Sequence, residues 1–414
     1  METRKGYKWE VLTLLWIAFF LNQADRQVFN VVLPLIKSDL HLSDVEVGMI
    51  ATIFNLVFAL LVPLAGYVGD RSSKKWIIVF SILLWSGATT LTGFSSGLVL
   101  FILFRSTATG AGEALFGPAN YATLADYHKK TRAFAMSIHQ TAYYLGIITS
   151  GFLAGYVGER WGWRSAFYIF GLVGIVHGII LIFRLKDKRG PVGPEMNKPG
   201  FTESMKVLFC IPTALILTIA FGGLIFVLVG YLTWTPVYLY EKFNMSLAQA
   251  GFHSMFYTHI AAFFGIIIAG KLSDKLAKDR PGLRLVMQAG GLLFAIPFII
   301  LMGHSEVSTS VYIGLAGFGF ARAFFDANTY SVLYDVIPEK YHASATGVMQ
   351  MAGFAVGSLA PLILGYLKSV IGLSTGISFL SVIWLICGIL LLIGYRFYFK
   401  SDYERAQAMK DEVL

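Results

Sequence analysis

The chain has 414 residues, of which 56% are hydrophobic and 14% charged, whereas soluble domains carry about 25% charged residues. That composition excludes a set of ordinary soluble domains and points to a membrane protein. The net charge of +9 would suit a nucleic-acid partner, but its distribution along the chain assigns it to membrane topology instead, as shown below.

Apolar runs of bilayer-spanning length predict an all-α membrane protein with twelve helices, over about residues 11–34, 45–68, 76–95, 98–121, 133–157, 165–185, 208–240, 248–270, 284–303, 308–333, 343–367 and 374–398. Lys and Arg favour the cytoplasmic side of a membrane. With the N-terminus inside, the cytoplasmic connections hold twenty-five of these residues and the outer ones only Lys37, Arg160, Arg164, Lys242 and Lys368. Both termini are therefore expected in the cytoplasm, and membrane lipid is the expected partner of the basic surface. The first apolar run is too long for a cleavable signal.

The chain repeats itself. "LHLSDVEVG" (40–48) matches "FNMSLAQAG" (243–251), with Ser43 and Ser246 separated by 203 positions, and "ANYATLAD" (119–126) matches "ANTYSVLYD" (327–335). The expected organisation is a six-helix bundle over 1–185, a linker over 186–207, a second six-helix bundle over 208–398 and a tail over 399–414. The linker contains "KDKRGPVGPEMNKPG", charged and rich in Pro and Gly.

Six charged side chains lie away from the ends of the expected spans: Asp25 and Arg26 in the first, Arg105 and Glu113 in the fourth, Arg322 and Asp326 in the tenth. Such groups are costly in hydrocarbon unless they are paired or face a cavity, so each is a functional candidate. Arg322 and Asp326, four residues apart on one helix face, can neutralise each other. Asp25 and Arg26 are adjacent and point in different directions, so at least one is expected to meet another helix. His139 and Gln140 in the fifth span are candidate substrate contacts, although a membrane histidine is more often a local hydrogen-bonding group. Cys210 and Cys387 sit far apart in apolar segments, which indicates neither a disulfide framework nor a metal site. No phosphate-binding loop, metal-ligand cluster or nucleophile triad is present in the sequence. No cofactor, metal or catalytic residue is expected, and energy has to come from a gradient.

After the second span stands "GYVGDRSSKK" (66–75), and "GKLSDK" (270–275) follows the eighth. With the two six-helix repeats, this G-x-x-x-D-R-x-x-[KR]-[KR] motif resembles the major facilitator superfamily over nearly the whole chain. "ADR" in the first span, "WS" at 85–86, "GEALFGPA" (112–119) and "WGWRSAF" (161–167) are similar to its spinster branch and neighbouring organic-anion symporters. "LADYHKKTRAFAMSIHQTA" (124–142) is similar to bacterial carriers associated with sugar-acid uptake. The resemblance implies a monomeric twelve-helix transporter of the bacterial inner membrane, not an enzyme, working by alternating access.

Gly66, Asp70 and Arg71 resemble the family's inner-gate latch, with Asp274, Asp126, Arg322 and Asp326 as further gating candidates; Lys74 and Lys75 fit simple topological flanking. Relatives write R-x-x-x-G-x-G-E, seven residues from Arg to Glu. Here Arg105 and Glu113 are eight apart, which on an ideal α-helix sets them about 80° apart. The leading expectation is proton-driven transport of a small organic anion, with Arg105 and Arg26 binding substrate and Glu113 or Asp25 carrying the proton. A spinster-like carrier of a lysolipid or similar amphiphile is the alternative, and a non-transporting receptor is disfavoured by the ionisable groups in the spans.

Overall fold

The computed structural model describes residues 6–128, 131–186 and 201–411, apart from the side chains at 66–71, 133, 201, 343 and 409–411. Every element of regular structure among the described residues is helical. The first six long helices are α1 (Tyr7–Asp39), α2 (Asp44–Arg71), α3 (Lys74–Thr92), α4 (Leu98–Tyr127), α5 (Arg132–Trp161) and α6 (Trp163–Arg184). After the linker come a short α7 (Phe201–Cys210), then α8 (Pro212–Phe243) and α9 (Leu247–Leu276). The expected seventh span therefore begins later than its apolar run, because Pro212 starts a fresh helix where its missing N–H costs nothing.

Farther on, Leu283–His304 and Leu373–Phe397 are single helices, whereas the expected tenth and eleventh spans are each divided. Ser308–Asp326 gives way to Thr329–Val336, and His342–Gly357 to Ala360–Ile371. Nine helical stretches among the described residues, one of them Ser344–Ile371 taken across its break, are long and apolar enough to cross a membrane. α1, α5 and Ser308–Asp326 fall outside that set, and these three carry Asp25, Arg26, His139, Gln140, Arg322 and Asp326.

The repeat is visible in the helix starts. His41 and Asn244 both adopt a φ of 50° before a helix. Ser43 and Glu46 then form a reciprocal cap: the Ser43 N–H donates to Glu46 Oε2 at 2.8 Å and the Glu46 N–H to Ser43 Oγ at 3.2 Å. Ser246 and Gln249 repeat that cap at 3.2 and 3.1 Å. Gly162 and Gly372, with φ of 82° and 81°, each precede a helix in the left-handed region that favours glycine.

The chain packs as two compact units, one of Met1–Pro194 with Leu232–Met255, the other of Glu195–Tyr231 with Phe256–Leu414. In the first, α1 packs on α5, α3 lies between α4 and α6, and α2 lies on α4. Leu15, Ile78, Ile82, Trp85 and Phe116 fill the core near one end. There the Tyr7 hydroxyl donates to the Arg184 carbonyl at 2.8 Å and accepts from the Lys186 N–H at 2.7 Å. At the opposite end Arg164 Nη1 donates to Asp39 Oδ2 at 2.5 Å and Trp163 Nε1 donates at 3.2 Å, which is the structural work of the "WGWRSAF" stretch. The Arg164 hydrogen bond, with help from Trp163, holds the Asp39 carboxyl below its ordinary range.

Within the same unit α5 meets the start of α9 backbone to backbone. A Cβ added at Gly151 would stand 2.5 Å from the Gly251 carbonyl oxygen, so only small residues permit the approach. Glu159 Oε1 accepts the Leu247 N–H at 2.6 Å, tying the end of α5 to the first turn of α9. Gly151→Val is expected to destabilise the protein by about 1–3 kcal/mol through overpacking, read as a lower thermal midpoint in detergent. An unchanged midpoint would show that the seam is open.

Candidate functional site

α1 interrupts its apolar sequence with Asn22, Gln23, Asp25, Gln27 and Asn30, all buried. A polar stretch buried within a membrane helix needs partners from its neighbours. Both adjacent charges find them. Thr89 Oγ1 of α3 donates to Asp25 Oδ2 at 2.8 Å, and Arg26 Nε donates to Glu113 Oε2 of α4 at 2.5 Å. The first span thus holds two other helices through two neighbouring residues that diverge.

Arg105 is 3% exposed. Its Nη2 donates to the Arg26 carbonyl at 3.1 Å, while its Nε and Nη1 have no hydrogen-bond partner among the described residues. The guanidinium carbon lies 4.3 Å from the centre of the Phe54 ring and 5.7 Å from that of Phe29. Arg26 packs similarly, 4.3 Å from Phe58 and 5.7 Å from Phe54. The ring faces attract both cations. Asp25, Arg26, Arg105 and Glu113 are close enough to act on one another electrostatically, so they form a single cluster.

The eight-residue interval in α4 has an unexpected solution. Ile102–Ala108 is a π-helix, whose wider turn takes up one residue more than an α-turn. The remaining rotation from Arg105 to Glu113 then matches seven α-helical steps, about 20° from one face instead of about 80°. That corrects the expectation from ideal geometry, and both residues do meet Arg26. Thr109 Oγ1 donates to the Phe104 carbonyl at 3.0 Å and Ser106 Oγ to the Ile50 carbonyl at 2.7 Å. These bonds fasten the π-turn internally and to α2.

The other candidates are distributed more widely. His139 is fully buried, stacked on Phe19 at 4.7 Å, with its Nε2 3.0 Å from Asn120 Nδ2. It joins α5 to α1 and α4 in the packed interior, apart from the charged cluster's hydrogen bonds, while Gln140 is exposed. In the second unit Arg322 Nε donates to Asp326 Oδ2 at 3.0 Å within one helix. Asp126 accepts from Lys74 Nζ at 2.6 Å, and its repeat partner Asp335 accepts from Arg284 Nη1 at 2.6 Å. Lys74 therefore does more than flank a span: it bridges α3 to the end of α4. Asp274 is exposed at the end of α9. Gly66, Asp70 and Arg71 occupy the last turns of α2, but their side chains lie outside the described residues.

Sequence reasoning missed Thr89, Phe29, Phe54 and Phe58. The phenylalanines are indistinguishable from lipid-facing residues by type. Thr89 carried a weak signal, being one of several small polar residues in the third span.

Apolar helices of spanning length around an interior cluster of opposed charges define a multi-pass membrane transporter. The chain belongs to the Major Facilitator Superfamily, whose family model matches residues 15–283 and 260–410. It is 26% identical over 407 residues to the Probable galactarate/D-glucarate transporter GudP of Bacillus subtilis, covering 90% of this chain and 88% of that one. Over 444 residues it is 26% identical to Protein spinster homolog 1 of Xenopus tropicalis, covering 98% and 83%. A crystal structure of a bacterial homologue of the human lysosomal transporter Spinster, inward-facing and occupied, shares the fold with a TM-score of 0.83, at 21% identity over 97% of this chain and 99% of that one.

Deletions can test the π-turn. Removing Thr107 leaves Arg105 and Glu113 seven positions apart in plain α-helix and is expected to preserve folding and ligand binding. Removing Leu103 abolishes the extra residue on the wrong side of Arg105 and is expected to cost binding at least tenfold. Equal behaviour of the two deletions in a thermal-shift binding assay would refute this role.

Proposed function

We propose that the protein is a proton-coupled symporter of small organic anions of the sugar-acid kind, in a bacterial inner membrane, with both termini cytoplasmic and the monomer as the working unit. The observation that carries this is Arg105: a buried guanidinium whose Nε and Nη1 find no acceptor among the described residues. A guanidinium with spare donors in a dry setting attracts a carboxylate through charge-assisted hydrogen bonds. The name of the Bacillus relative supports the substrate class.

Coupling follows from the company Arg105 keeps. Glu113 is bonded to Arg26, and Arg26 in turn supplies the carbonyl that receives Arg105. An incoming carboxylate drawn to Arg105 competes with Glu113 and Asp25 for the two guanidiniums. Protonating one of these carboxylates removes that competition, so proton and anion favour each other's binding, and at equilibrium the assistance is mutual. Glu113 is the proposed proton carrier and Asp25, held by Thr89, the alternative. His139 serves packing more than substrate contact in this reading. Asp70, Arg71, Gly66, Asp126, Asp274, Arg322 and Asp326 are proposed to act in gating, between bundles of 1–185 and 208–398 joined by the 186–207 linker.

In proteoliposomes, Arg105→Ala is expected to lose at least tenfold in substrate affinity. Glu113→Gln should lose accumulation driven by a pH gradient while retaining counterflow exchange. If Glu113→Gln still accumulates substrate and Asp25→Asn does not, the proton belongs to α1. Binding of lysolipids in place of sugar acids would move the assignment to an amphiphile carrier.

A further inference from the structure

The six Asp, Glu and Arg side chains in the interior of the spans carry three positive and three negative charges when all are ionised. Two of the three arginines already hold a carboxylate, Arg26 with Glu113 at 2.5 Å and Arg322 with Asp326 at 3.0 Å. Arg105 is the one whose Nε and Nη1 lack partners among the described residues. The charge of this one guanidinium is matched by one carboxylate. Phe29 and Phe54 beside it offer no hydrogen bonds to a second anionic group. Asp25 and Glu113, in the same cluster, repel one.

From this charge balance we infer that the site selects sugar acids bearing one carboxylate over aldaric acids bearing two, and that it takes one proton with each molecule. The inference rests on the organic-anion reading and adds the number of charges to it. With one proton on Glu113 or Asp25, the cluster of Asp25, Arg26, Arg105 and Glu113 has a single net positive charge, which a monoanion neutralises. A dianion leaves a net negative charge in a low-dielectric interior, where an uncompensated charge is heavily penalised. It is accepted only with a second proton. Transport of a monoanion with one proton moves no net charge across the membrane.

Gluconate and glucarate make a suitable pair, because they share a six-carbon polyol chain and differ in whether one end is an alcohol or a carboxylate. With the full-length protein in proteoliposomes, gluconate is expected to compete for binding at least tenfold better than glucarate. Its uptake under a pH gradient should be unchanged when a potassium diffusion potential of either sign is imposed. Asp25→Asn, which removes one negative charge from the cluster, should narrow the preference for gluconate severalfold, whereas Asp279→Asn, in the exposed turn after α9, should not. Glucarate binding equal to or tighter than gluconate, or gluconate uptake that follows the imposed potential, overturns the inference and leaves the organic-anion reading standing. If neither acid binds, both fall together.

Discussion

The ion pair between Arg26 and Glu113 is the contact around which the first unit is organised. A buried charge without a counter-charge is so unfavourable that removing either partner leaves a larger penalty than the pair is worth. α1 and α4 are therefore obliged to meet at that level. Asp25, one residue away, reaches α3 through Thr89. Three helices are fixed at one depth by two consecutive side chains, and the aromatic rings of α1 and α2 close over both guanidiniums.

Once that level is fixed, Arg105 can serve a different purpose. Its backbone sits in a π-helical turn, held by Ser106 and Thr109. The turn brings its side chain to the Arg26 carbonyl without taking a carboxylate away from Arg26. One hydrogen bond and two ring faces hold the guanidinium in position, and its Nε and Nη1 stay uncommitted among the described residues. A rigidly presented cation with spare donors binds an anion without first having to break an existing salt bridge, so less of the binding energy is spent on rearrangement.

Much of this arrangement was legible in the residues. Apolar run length identifies spanning helices because the bilayer imposes a length, and the rarity of charge in such runs singled out Asp25, Arg26, Arg105, Glu113, Arg322 and Asp326. The pairing of Arg322 with Asp326 followed from spacing on one helix. Pairings between helices did not, since nothing in α1 specifies that Arg26 meets Glu113 or that Asp25 meets Thr89. The π-turn was hidden because it is a pattern of backbone hydrogen bonds that residue types do not encode. The interruptions after Asp326 and Gly357 were hidden for a related reason: average apolarity does not register a break of two residues.

The matched caps at Ser43–Glu46 and Ser246–Gln249, each preceded by a left-handed residue, bear on how such a chain diversifies. The two halves kept the same device for starting a helix while the interiors of those halves came to differ: with Ala119 matched to Ala327, 208 residues on, the position of Glu113 is taken by Ala321. A terminus that is stabilised locally makes the helix start insensitive to what lies in its middle. Chemistry can then be rewritten in one copy, even with a buried charge present in one half and absent from the other, without resetting where its helices begin. The duplicated caps act as fixed margins, and the text between them is free to change.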